Sequence, residues 1–325
     1  MIEQIEINQS ILNRFSILWA SERLAHAYLF IGPDFSGKTT TALAVAKLIN
    51  CDSNKNRKKK EPCGHCPSCI KIESGNHPDL SILDIEEGAQ SIKIAAIREL
   101  VGKSQLRPFE AQRKIFIIRN VDKLTPEGSN ALLKTLEEPS QSSILILTTS
   151  SPESILSTVR SRCHAIQFFP LPQESIEAQL RKGISRNKEE CHYLSYFSEG
   201  CLGKALFLGE KGFFKKKNEY IDNLVFDREN ENYIKQLLLD KEQTKEALDV
   251  LFSWFRDLLL MKTEVEEQKL MNLDRAADLK QMIQKYSFGQ LQDILNEIIN
   301  TKRLLDGNFN VRIPLILLRE KIWIR

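Results

Sequence analysis

No stretch of this 325-residue chain approaches the ~20 consecutive apolar residues that a membrane-spanning helix needs. The start, Met1-Ile2-Glu3-Gln4-Ile5-Glu6, has neither the basic opening nor the long apolar run of a secretory signal. These absences predict a soluble, cytoplasmic protein with no membrane partner. Excess charge of one sign is also missing. The 46 Lys and Arg nearly balance the 43 Asp and Glu, leaving a formal net charge of +3. Bulk electrostatics therefore gives little support to a DNA-binding module acting alone. No internal repeat is visible. In a cytosolic chain the seven cysteines are expected to be reduced or metal-bound, not paired in disulfides. The length predicts two or three domains, and 42% hydrophobic residues suffice for ordinary cores.

The chain is organised around Ala27-Tyr28-Leu29-Phe30-Ile31-Gly32-Pro33-Asp34-Phe35-Ser36-Gly37-Lys38-Thr39-Thr40. Tyr28 to Ile31 suits a buried strand, Gly32 to Gly37 a loop, and Thr39 to Leu48 a helix. Gly32, Gly37, Lys38 and Thr39 complete the pattern Gly-x4-Gly-Lys-Thr. Such a loop rings a phosphate with backbone N–H groups, which demands glycine's dihedrals and close approach. Lys38 would reach the β- and γ-phosphates, the Thr39 hydroxyl would bind Mg²⁺, and Thr40 follows in the same turn. ATP or ADP is the expected ligand.

The second informative stretch holds Cys51, then eleven residues, then Cys63-Gly64-His65-Cys66-Pro67-Ser68-Cys69. Four thiolates from Cys51, Cys63, Cys66 and Cys69 make a closed tetrahedral site for structural Zn²⁺ with no open position for chemistry. His65 is the alternative to Cys51 as fourth ligand. Gly64 and Pro67 are expected to provide tight turns. An insertion this small and polar could not fold around a core of its own, so a metal would hold it. The basic run Lys55 to Lys60 reads as a solvated loop.

Elsewhere the pattern alternates. Asn8 to Ala20 is an amphipathic helix, and His26 is a structural residue at a strand entry. Ile82-Leu83, Lys114 to Ile118 and Ile144 to Leu147 read as strands, the last finishing in Thr148-Thr149. Ile92 to Val101 and Pro126 to Leu136 read as helices. Strands alternating with helices predict an α/β module with a parallel, doubly wound sheet. Beyond Pro170 the strands largely stop. Ser175 to Lys182, Lys188 to Phe197 and a segment opening at Gly200-Cys201-Leu202-Gly203 are helical. Apolar stripes on Ala247 to Met261 and Phe288 to Leu305 are helix-packing surfaces.

Several runs together resemble the bacterial clamp-loader branch of the AAA+ ATPases. They are Arg23 to Phe30, Gly32 to Thr39, the four cysteines, Gly75-Asn76-His77-Pro78-Asp79-Leu80, Ser129 to Pro139, and Ser161-Arg162-Cys163. Within that branch the chain resembles the delta-prime family of DNA polymerase III subunits, to which Leu305-Asp306-Gly307-Asn308-Phe309-Asn310 is also similar. The resemblance implies an AAA+ P-loop module over 1–170 with a zinc-binding insertion at about 50–70. It implies a small helical lid over 171–209 and an all-α collar domain over 210–325. The implied partners are other clamp-loader subunits (gamma/tau and delta), the sliding clamp, and primed DNA through the complex.

Departures from the family bear on mechanism. Motor subunits end the strand equivalent to Ile115–Ile118 in Asp-Glu, which hold Mg²⁺ and polarise water; here Arg119 and Asn120 stand there. Asp122 is expected to point away. The lid arginine that senses the γ-phosphate is replaced by Gly203. Hydrolysis in cis is therefore expected to be lost, while nucleotide binding survives. Arg162 matches the arginine finger that this family supplies in trans, with Arg160 less favoured. The rival readings are an active gamma/tau-like motor, supported by the intact phosphate loop, and a stand-alone nucleotide kinase.

Overall fold

The computed structural model describes residues 8–56, 60–86, 89, 91–183, 187–228 and 230–323. The N-terminal hexapeptide and residues 57–59 of the basic run lie outside the described residues. The chain forms two compact units: Met1–Leu171 with Gly200–Lys204, and Pro172–Glu199 with Ala205–Arg325.

The first unit follows the alternation of the sequence. Its elements are α1 (Gln9–Ala20), β1 (Ala27–Ile31), α2 (Lys38–Asn50), α3 (Pro67–Glu73), β2 (Leu80–Leu83), α4 (Ile94–Ser104), β3 (Lys114–Ile118), α5 (Pro126–Glu137), β4 (Ser143–Thr149), α6 (Ser157–Arg160) and β5 (His164–Gln167). All the strand pairs are parallel, in the order β2-β3-β4-β1-β5. Both faces are covered, which is why β1, β3 and β4 are continuous apolar runs. The period of two divides them. Tyr28, Phe30, Ile115, Ile117, Ile144 and Ile146 pack with Phe15, Trp19 and Val45 on one face. Leu29, Ile31, Phe116, Ile118, Leu145 and Leu147 pack with Ile97, Leu100 and Leu132 on the other.

Two elements differ from the sequence reading. β5 has a single buried residue, Ile166, so as a short edge strand it carries no apolar run to reveal it. Pro67 does not make a turn; it opens α3, where its missing N–H costs nothing.

The second unit is helical: α7 (Gln173–Gly183), α8 (Lys188–Phe197), α9 (Leu202–Glu210, whose first turn belongs to the first unit), α10 (Phe213–Ile221), α11 (Glu231–Leu237), α12 (Lys241–Lys262), α13 (Ala276–Met282), α14 (Phe288–Asp306) and α15 (Arg312–Trp323). The apolar stripe on α12 buries Leu248, Leu251, Trp254, Phe255 and Leu258. The stripe on α14 buries Leu291, Ile294 and Ile298. Lys217 of α10 is also fully buried. Its Nζ donates to both Asp274 oxygens at 2.7 and 2.8 Å and lies over the rings of Tyr193 and Phe214. No helix among the described residues is long and apolar enough to cross a membrane.

Candidate functional site

β1 delivers the loop Gly32–Gly37 to the carboxyl end of the sheet, where α2 begins. Gly37 caps α2 at φ +87, a conformation that suits glycine. A Cβ there would also lie 2.6 Å from Asn8 Nδ2, which donates to Ser36 O at 3.4 Å. Gly32 is glycine for a reason within the fold. A Cβ at Gly32 would meet Phe168 O at 2.5 Å and Phe168 Cβ at 2.7 Å, just past β5. Phe35 takes φ +61 without being glycine, so the loop stores backbone strain.

Lys38 is buried, and its Nζ donates to Gly32 O and Pro33 O at 2.6 Å each. Burial pushes the ammonium below its ordinary value, against the pull of Asp34, Cys201 and Asp122. Thr39 and Thr40 are half-buried in the first turn of α2. Gly203 lines the small space above Ser36 and Gly37, together with Asn8 and Phe35. His26 precedes β1 at its amino end, the opposite end of the strand from this loop.

Beside the phosphate loop, the ends of β2, β3 and β4 form a closed polar set. Arg119 Nη1 lies 2.9 Å from Asp84 Oδ2, and Asn120 Nδ2 donates to Asp84 Oδ1 at 3.0 Å. Asn120 is left-handed at φ +51. Asp122 does not point away. Its side chain is nearly buried and accepts from Thr149 Oγ1 at 2.7 Å, at the end of β4. Arg119 and Asn120 bring no carboxylate of their own to the tip of β3, and they engage both oxygens of Asp84, the carboxylate at the end of the neighbouring strand.

Arg162 follows α6. Its Nη2 lies 2.8 Å from Glu137 Oε1 at the end of α5, and its Nη1 donates to Thr158 O at 2.9 Å. The side chain remains 36% exposed.

The cysteines converge. The four Sγ atoms of Cys51, Cys63, Cys66 and Cys69 all lie within 4.8 Å of one another. A tetrahedron with Zn–S of ~2.3 Å has S···S edges of ~3.8 Å. Backbone N–H groups of Cys63, Cys66 and Cys69 donate to Cys51, Cys63 and Cys66 sulfurs, each at 3.4 Å. That donor set suits thiolates. Against burial, hydrogen bonds from the His65 backbone, the Ser53 side chain and the Cys66 backbone pull the Cys63 thiol down to about 5, whereas burial pushes Cys51 and Cys69 up in the absence of a metal charge. His65 turns its Nδ1 to Cys63 O at 2.8 Å and is exposed, so the set that can hold a metal is the four cysteines.

One further group carries the fold of this region. Asp79 is buried and accepts backbone N–H bonds from Phe109 at 2.8 Å, Glu110 at 2.8 Å and Ala111 at 2.9 Å. Its own N–H donates to His77 Nδ1 at 3.1 Å, and His77 Nε2 meets Ser68 Oγ at 3.3 Å. His77 and Asp79 belong to the Gly75 to Leu80 run, whose sequence does not reveal this role. An acid flanked by proline and leucine was the available signal.

Residues 7–172 match the family described as DNA polymerase III, delta subunit, and residues 211–320 match its C-terminal family. The DNA polymerase III subunit delta′ of Bacillus subtilis is 30% identical over 90% of this chain and 88% of its own length. The tau subunit of the same organism is 27% identical over 85% of this chain, which spans 54% of that protein. A DNA polymerase III gamma subunit-related structure from Thermotoga maritima superposes with a TM-score of 0.45 at 15% identity, covering 98% of this chain and 99% of its own. Matched in both segments and aligned with a delta′ subunit along most of its length, this chain belongs to the delta-prime family of DNA polymerase III clamp-loader subunits, related to gamma/tau.

Proposed function

We propose that this chain is a nucleotide-holding, non-hydrolysing subunit of a clamp loader that lends an arginine to a neighbouring ATPase. The observation that carries the reading is the Arg119–Asp84 pair at 2.9 Å, with Asn120 beside it. It stands where a motor needs carboxylates for Mg²⁺ and for water. Gly32, Gly37, Lys38, Thr39 and Thr40 would bind ATP or ADP with Mg²⁺, and Zn²⁺ on the four cysteines would be structural. Arg162 would reach the γ-phosphate on the adjacent subunit, where a trans arginine contributes on the order of 10³–10⁵ in rate. In this reading 171–209 acts as the lid and 210–325 as the collar. The partners are gamma/tau and delta, the sliding clamp, and primed DNA through the complex, all in the cytoplasm.

The complete phosphate loop favours a second reading, an active gamma/tau-like motor. The purified chain is mixed with radiolabelled ATP-Mg²⁺, bound and free nucleotide are separated, and ADP is followed. Bound ATP that persists supports the holding role. Steady turnover by the chain alone hands the assignment to the motor reading.

A further inference from the structure

Arg162 is restrained more tightly than a half-exposed arginine usually is. Nη2 is paired with Glu137 and Nη1 with the Thr158 carbonyl, so two of the five guanidinium N–H groups are committed in one direction. The others are left for a second acceptor. Both side chains are substantially exposed, 36% for Arg162 and 49% for Glu137. An ion pair in that setting contributes ~0–1 kcal/mol to folding, so stability does not explain it.

Glu137 is also badly placed for its helix. It is the last residue of α5, followed by Glu138, at the end where the helix dipole disfavours negative charge. A residue that breaks a local rule without stabilising the fold marks a site. Its ion pair with Arg162 supplies a rationale for a carboxylate at that place.

We propose that Glu137 is a positioning residue for Arg162. The proposal rests on the reading of Arg162 as a trans-acting finger. A free arginine side chain loses ~2 kcal/mol of rotamer entropy when fixed. Glu137 and the Thr158 carbonyl hold the guanidinium in place beforehand, so less ordering is left for the moment a phosphate arrives. The carboxylate does not discharge the arginine, whose charge is retained throughout. Because the pair is weak, phosphate oxygens can also displace Glu137 at little cost.

The test is a double-mutant cycle in the clamp-loader complex reconstituted with its ATPase subunits, reading DNA-stimulated ATP hydrolysis. Native chain, Arg162→Ala, Glu137→Ala and the double variant are compared. Glu137→Ala is expected to lower kcat about three- to fivefold with KM unchanged, and to add nothing once Arg162 is gone. Glu137→Gln, which keeps an acceptor oxygen of the same shape, is expected to fall between native and Glu137→Ala. The melting temperature of the chain should be the same in all four. If Arg162→Ala leaves the rate untouched, the finger reading fails and the inference with it. If Arg162→Ala slows hydrolysis but Glu137→Ala does not, or the two losses multiply, the finger stands and the positioning role of Glu137 is overturned.

Discussion

The Arg119 guanidinium lies 2.9 Å from the Asp84 carboxylate, tying the ends of two neighbouring parallel strands together. The pair fills the carboxyl end of β3 with a guanidinium and occupies the Asp84 carboxylate, so neither is open to a metal ion. Mg²⁺ should therefore add little to nucleotide binding. The ATP Kd of the native chain is expected to differ less than about threefold between Mg²⁺ and EDTA, and that of Arg119→Asp at least about tenfold. Equilibrium dialysis measures both ratios. The same ratio in both proteins would show that Arg119 does not govern the metal.

Gly32 is held by Phe168. A methyl group there has 2.5 Å to the Phe168 carbonyl oxygen, and backbone cannot give way as a flexible side chain can. Gly32→Ala should destabilise the chain by ~1–3 kcal/mol in urea unfolding without nucleotide present. A loss seen only in nucleotide binding would assign Gly32 to the ligand alone.

Asp79 ties the turn at 109–111 to β2. Burial alone would raise its carboxyl, but the N–H groups of Glu110, Phe109 and Ala111, with Lys114, outweigh it and hold the group below its ordinary value. A depressed folded value means the stabilisation is complete above the unfolded value of ~3.9 and is lost as pH falls through the folded one. Asp79→Asn should cost ~1–3 kcal/mol at pH 7. The variant should also show a shallower loss of stability than the native chain below about pH 4. Parallel acid profiles would remove Asp79 as the titrating group.

The four-sulfur cluster predicts one bound Zn²⁺ per chain, released by chelator together with a fall in melting temperature. Cys66→Ser removes the sulfur that also accepts the Cys69 N–H at 3.4 Å, so it should lose the metal and most of that stabilisation. Elemental analysis and thermal unfolding read the two effects. A variant that keeps native metal content would place the ligands elsewhere.

Much of this fold is legible in the sequence. Ile115 to Ile118 and Ile144 to Leu147 are doubly buried strands, and such strands must be unbroken apolar runs. Cys63, Cys66 and Cys69 sit at a spacing short enough for local backbone to bring the sulfurs together. β5 was hidden because an edge strand with one buried residue has no periodic signal. Asp122, a few residues past the strand and expected to point away, depends on a turn that residue spacing does not fix. The chain instead turns through left-handed Asn120 and swings Asp122 back to Thr149.

The sequence by itself determined the local chemistry: a Gly-x4-Gly-Lys-Thr loop after a strand, a four-cysteine set, and Arg119 and Asn120 directly after an apolar strand. Those follow from residue type and near spacing. Only the tertiary structure decided the pairings across distance. Asp84 with Arg119, Asp79 with the turn at 109–111, Phe168 over Gly32, and Glu137 with Arg162 each join residues 25 to 136 positions apart in the chain. Strand order and helix placement set these contacts, and neither is written in any one segment.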